Sequence, residues 1–122
     1  MYGFTSEKEF YYSTRSFVSG LPSRRYAVAL ETTQTLYLTR GDLEQLYTRI
    51  SGMERLVRIM TERHQVLTEQ RAELKEGKSY KQRYLNFLET HTDISNRLKM
   101  KEIACYLNMT PGTLSHIRKE IM

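Results

Sequence analysis

The chain is short of the residues that cross-link or ligate. It holds one cysteine, Cys105, and three histidines. One cysteine excludes an internal disulfide, and histidines this scattered leave no spacing resembling a zinc or iron–sulfur site. No metal, cofactor or redox chemistry is therefore expected. No stretch approaches the roughly 18 consecutive apolar residues of a membrane span, and MYGFTSEKEF lacks the basic start and apolar run of a secretory signal. These absences lead to the expectation of a cytoplasmic protein without a membrane partner. No Ser/His/acid or paired-carboxylate constellation stands out either, so no catalytic residue is assigned and the chain is read as a non-enzyme.

What is present fits one or two small globular units: 122 residues, 39% hydrophobic and 27% charged. The net charge of +5 is unevenly placed. Residues 1–77 carry eleven Lys/Arg against ten Asp/Glu, whereas residues 78–122 carry eight against four. A basic C-terminal part suits a polyanion such as nucleic acid.

Residues 1–20 are rich in Tyr, Phe and Ser without a clean period, and SGLPSRR at 19–25 is turn-like. Two runs of strand composition follow, 26–31 and 33–39, the second alternating Thr35, Tyr37 and Thr39 with Leu36 and Leu38. They read as a hairpin or two adjacent strands, which need further strands or a helix to cover their apolar side. At Thr39 the period changes. Thr39 or Asp42 is a candidate N-cap for a helix with Leu43, Leu46, Tyr47 and Ile50 on one face. A second helix is expected over 53–75, uninterrupted by Pro or Gly until Gly77. Along it Met53, Met60, Leu67 and Leu74 recur every seven residues, with Leu56 at a d-type place and Arg63 and Gln70 at the others. That half-polar seam argues for a partner helix, with packing inside its own domain as the alternative. KEGKS at 75–79 is the expected boundary, and a third helix over 80–90 gathers Tyr80, Tyr84, Phe87 and Leu88.

The end of the chain, LKMKEIACYLNMTPGTLSHIRKEIM, carries the densest set of local signals. Met100, Ile103, Ala104 and Leu107 share a face, and Ala104 is small enough to let a second helix cross closely. Asn108 suits a left-handed backbone, Met109 plugs the turn, Thr110 is an N-cap and Pro111 takes the first helical position. Leu114, Ile117 and Ile121 supply the inward face of the second helix. This is a helix-turn-helix pattern. In such motifs the second helix enters the major groove by its N-terminal half, where Pro111, Gly112, Ser115 and His116 are exposed, and this puts Gly112, Ser115 and His116 toward base edges. Thr110, Thr113, Arg118 and Lys119 are placed to hold phosphates.

The same residues resemble the C-terminal region of Crp/Fnr-family transcription regulators, whose pattern K-x-I-A-x-Y-L-x-[IM]-T-P-x-T-L-S-x-I-R-K is matched from Lys101 to Lys119. PSRRYAVALETTQTLYLTRGDLEQLY is similar to the last strands of that family's cyclic-nucleotide-binding β-roll, and 53–75 falls at its dimerisation helix. The resemblance implies a mainly α chain with a small β remnant: a partial β-roll over 1–50, a dimerisation helix and hinge over 51–77, and a helix-turn-helix domain over 78–122 with the wing absent or reduced. It implies a homodimeric regulator that binds double-stranded DNA, pairs through Met53, Leu56, Met60, Leu67 and Leu74, and has RNA polymerase as a further partner. Three departures stand against full inheritance. About half the roll has no counterpart, the Gly-Glu loop is missing and Ser23, Arg24 and Arg25 stand in altered order, so cyclic-nucleotide binding is not expected. His116 and Gly112 also replace the Arg and Glu common at those places. A rival from another class is a truncated interaction module that pairs with a longer relative without productive DNA binding.

Overall fold

The computed structural model describes residues 3–76 and 78–122. Among them are six α-helices and no strand: α1 (Thr14–Ser19), α2 (Arg40–Arg49), α3 (Met53–Glu73), α4 (Tyr80–Thr90), α5 (Met100–Tyr106) and α6 (Pro111–Ile121). The chain forms two compact units. One is Phe10–Gln65; the other joins the segment ending at Glu9 to Val66–Met122. The division thus falls within α3 rather than near residues 50 and 77, and Gly77, the centre of the expected boundary, lies outside the described residues.

Helix starts follow their caps. Thr39 Oγ1 accepts from the Asp42 N–H at 3.0 Å while Asp42 Oδ2 accepts from the Thr39 N–H at 3.2 Å, a reciprocal box that fixes Thr39 as the N-cap of α2. Ser79 and Gln82 make the same box at α4, at 3.2 and 3.1 Å. At α5 the Lys99 N–H donates to Glu102 Oε2 at 2.7 Å. Helix α3 stops two residues earlier than expected, at Glu73, and Leu74 and Lys75 continue as a turn.

In the unit Phe10–Gln65 no described side chain is fully buried. Arg40 ties α2 to α1, donating from Nη1 to the carbonyls of Phe17 and Val18 at 2.7 and 3.0 Å. The hairpin expected over 26–39 does not form. Tyr26, Val28, Leu36 and Tyr37 all point to solvent, Leu36 fully so. The reason is physical: a two-stranded ribbon with one apolar face is marginal in water unless something covers that face, and nothing within this unit does.

The other unit holds the core. Phe87 from α4, Ile103, Ala104, Tyr106 and Leu107 from α5 and its end, and Leu114 and Ile117 from α6 are buried together. Tyr84 and Ile94 complete them, and Leu88 packs from the side. Two expected inward residues differ. Tyr80 is half exposed with the Arg83 guanidinium 5.3 Å above its ring, and Ile121 is 40% exposed because the last turn of α6 runs past the core. Phe4 enters from the N-terminal segment, its ring 4.9 Å from Tyr106 and 6.5 Å from Phe87. Arg71 donates to the Phe4 carbonyl at 3.2 Å and pairs with Glu9 at 3.3 Å. Arg97 grips Glu7 with two hydrogen bonds of 2.8 and 3.0 Å. No helix among the described residues is long and apolar enough to cross a membrane.

Candidate nucleic-acid interface

The interface begins with the turn between α5 and α6. The Leu107 N–H still bonds the Ile103 carbonyl at 3.0 Å, after which Asn108 adopts φ +56°, the left-handed region that Asn tolerates better than most residues. That reversal lets the Met109 N–H reach back to the Ala104 carbonyl at 3.0 Å. Ala104 itself is completely buried, as a close helix crossing requires, and Met109 packs half-buried against the core. Thr110 Oγ1 then accepts from the Thr113 N–H at 3.1 Å and shares a hydrogen bond with the Thr113 hydroxyl at 2.9 Å. Pro111 stands at the start of α6, where no N–H is needed. Arg83 of α4 braces the turn by donating from Nη1 to the Leu107 carbonyl at 3.2 Å.

With Leu114 and Ile117 buried, the opposite side of α6 is set. Thr110, Pro111, Gly112, His116, Arg118 and Lys119 are exposed, and Thr113 and Ser115 are half-buried. All eight lie on one continuous stretch at and along α6. A Cβ at Gly112 would meet nothing nearer than Thr110 Oγ1 at 3.9 Å, so the fold itself does not demand glycine there. His116 Nε2 lies 3.2 Å from Glu120 Oε1, one turn along the same helix. Arg118 and Lys119 occupy the last turn, beside the negative end of the helix dipole. The arrangement offers hydrogen-bond donors, two permanent cations and an exposed helix N-terminus on a rigid base.

The residues of the α3 seam are less uniform. Leu56 and Leu67 are 51% and 46% exposed, and Ile59 and Val66, which flank them, are 40% and 52% exposed. Met53 and Met60 are half-buried. Leu74 lies beyond the helix end and lines a crevice with Phe87 and Tyr106, so it faces its own unit rather than solvent.

Sequence reasoning missed Glu120, although a His-x-x-x-Glu spacing on a helix is a local signal for such a pair. It also missed Arg83, Phe4 and Glu7, whose contacts are distant in sequence and carry no local signal. No group of His, Cys, Asp and Glu suited to a metal ion occurs among the described residues. Comparisons with protein-family models, curated proteins and solved structures return no match to this chain.

Proposed function

We propose that this chain is a sequence-specific DNA-binding transcription regulator of the Crp/Fnr type, acting in the cytoplasm as a homodimer with α6 in the major groove. The observation that carries this reading is the reversal at Asn108, closed by the Met109 N–H on the Ala104 carbonyl. It sets two short helices against each other over one core and leaves Gly112, His116, Arg118 and Lys119 facing outward. In this reading α5 and α6 are a helix-turn-helix. His116 meets base edges beside Gly112 and Ser115, and Thr110, Thr113, Arg118 and Lys119 hold phosphates. The exposed apolar residues of α3 support pairing with a second copy, which would place two α6 helices on half-sites roughly 34 Å apart. In this reading the runs over 26–39 become strands only when a partner surface covers them.

The test is anisotropy binding to a randomised duplex pool across a salt series, with sequencing of the retained fraction. The expected result is a two-fold pattern whose binding constant falls steeply with salt, because each phosphate neutralised releases about one counterion. Arg118→Ala should weaken all sequences alike, and His116→Ala should change preference at one position of each half-site. A folded protein with no binding, or with salt-insensitive binding, would reject the proposal.

The exposure of Leu56, Ile59, Val66 and Leu67 favours a second reading, a truncated module that pairs with a longer relative without productive DNA binding. Co-expression with such a relative would then yield mixed dimers, and their absence would count against it.

A further inference from the structure

Beneath the turn that ends α3 lies a crevice of about 10 Å³, lined among others by Lys75, Arg83, Thr90, His91 and Tyr106. Two buried nitrogen atoms of its lining residues, Arg83 Nε and His91 Nε2, have no hydrogen-bond partner among the described residues. His91 is only 4% exposed, stacked on Phe87 at 4.7 Å. The Thr90 hydroxyl lies 2.8 Å from both the Asn86 carbonyl and His91 Nδ1. With its one hydrogen on the carbonyl, the contact to Nδ1 is donated by the ring. Nε2 of the neutral ring is therefore a bare acceptor.

The other groups are donors, and positive. Arg83 Nε–H is a fixed donor, and the Lys75 ammonium sits 3.8 Å above the Tyr106 ring. Neither Lys75 nor Arg83 has a carboxylate partner among the described residues, whereas Arg71 on the same wall is paired with Glu9. Burial first, and then the Arg83 charge, lowers the Lys75 ammonium below its ordinary 10.5.

A water in the crevice would leave the two charges unanswered. Sulfate or chloride would answer the charges but offer no hydrogen to His91 Nε2. We propose that this crevice binds a small oxyanion that keeps one O–H, of which hydrogen phosphate is the simplest: its charged oxygens meet Arg83 Nε–H and Lys75, and its O–H donates to His91 Nε2. The enclosed volume suits one such oxygen, with the rest of the ion at the mouth. This site is independent of the DNA-binding reading, since its residues lie outside the α6 set.

The test uses the intact 122-residue chain with ¹⁵N-labelled histidine, titrated at pH 7 and constant ionic strength with inorganic phosphate or sulfate. His64 serves as the internal control. Phosphate should move the His91 Nε2 resonance saturably, and Lys75→Met and Arg83→Met should each weaken this about tenfold or more, as expected for loss of a charged hydrogen bond. Lys75 is only half-buried, so its variant keeps the test sound should Arg83→Met unfold. An equal response to sulfate, an unchanged response in Lys75→Met, or a response to duplex DNA alone with none to free phosphate would each overturn the proposal.

Discussion

The rings of Phe4 and Tyr106 lie 4.9 Å apart, centroid to centroid, although 102 positions separate them in the chain. Phe4 thereby completes an aromatic cluster with Phe87, Tyr106 and His91 under which the α5–α6 pair sits. A domain that would otherwise be built only from residues after 65 borrows one of its core side chains from the other end of the chain. Phe4→Ala should cost about 3 kcal/mol, the order seen when a buried aromatic is truncated and the site cannot fully collapse. Urea unfolding followed by circular dichroism would measure it. A loss under about 0.5 kcal/mol, the range of ordinary surface substitutions, would mean that the segment merely rests on the domain.

Acid should weaken the same cluster in two separate windows. Burial first, and then the Arg71 charge, lowers the His91 imidazolium below its ordinary 6.5. The unfolded chain therefore takes up a proton near pH 6.5 that the folded chain refuses, and stability that is complete above that pH is lost as pH falls through the lowered folded value. Glu7 behaves differently: the hydrogen bond from Arg97 is the largest influence holding its carboxyl at about 2. Its contribution is complete above pH 4.5 and is lost progressively as pH falls from there through about 2. Denaturant midpoints measured between pH 7 and 5 should fall in the wild type and flatten in His91→Phe, while Glu7→Gln leaves the slope in this window unchanged. A flat wild-type profile would contradict the buried neutral imidazole.

Much of the α5–α6 unit was legible because its determinants are close in sequence. Thr110, Pro111 and Asn108 act over three or four residues, and the spacing of Ile103, Ala104, Leu107, Leu114 and Ile117 gives the core face directly. The box of Ser79 and Gln82 was equally local, and a reader of S-x-x-Q would have found it. Strand composition over 26–39 misled for the opposite reason: a strand exists only with a partner, and its residues do not say where that partner is. The docking of Phe4, the burial of His91 and the grip of Arg97 on Glu7 are tertiary facts with no trace in local pattern. For Leu74 the seven-residue repeat was real, but the helix ends one residue earlier, and the side chain turns toward Phe87 and Tyr106.

The exposed stripe of α3 has a direct consequence for association. Leu56 and Leu67 are about half exposed, and a helix pair would cover both together with Ile59 and Val66. Replacing Leu67 by Glu should leave the helical content of the chain intact while shifting it toward monomer in analytical ultracentrifugation by at least about tenfold in dissociation constant, the cost of losing roughly one buried leucine. Leu56→Glu should act in the same direction, whereas Leu74→Ala should act on stability, since Leu74 packs on its own unit. Unchanged association in both Leu56→Glu and Leu67→Glu would remove α3 from the pairing surface.

Gly112 separates the demands of folding from those of binding. Its backbone is ordinary helix, and a methyl group there would touch only Thr110 Oγ1 at van der Waals distance, 3.9 Å. Alanine is the better helix former, so Gly112→Ala should stabilise the chain by about 0.5–1 kcal/mol. A glycine on the exposed first turn of the proposed reading helix, where the fold does not demand it, is accounted for if a DNA backbone or base edge approaches closer than a Cβ allows. The variant should then melt higher yet bind its selected duplex more weakly, by about 1 kcal/mol or more, comparable to the loss of one base contact. Thermal denaturation and anisotropy on the same preparation read the two effects independently. A variant that is more stable and binds as well as the wild type would place the DNA away from Gly112 and shift the reading contacts toward His116 and beyond.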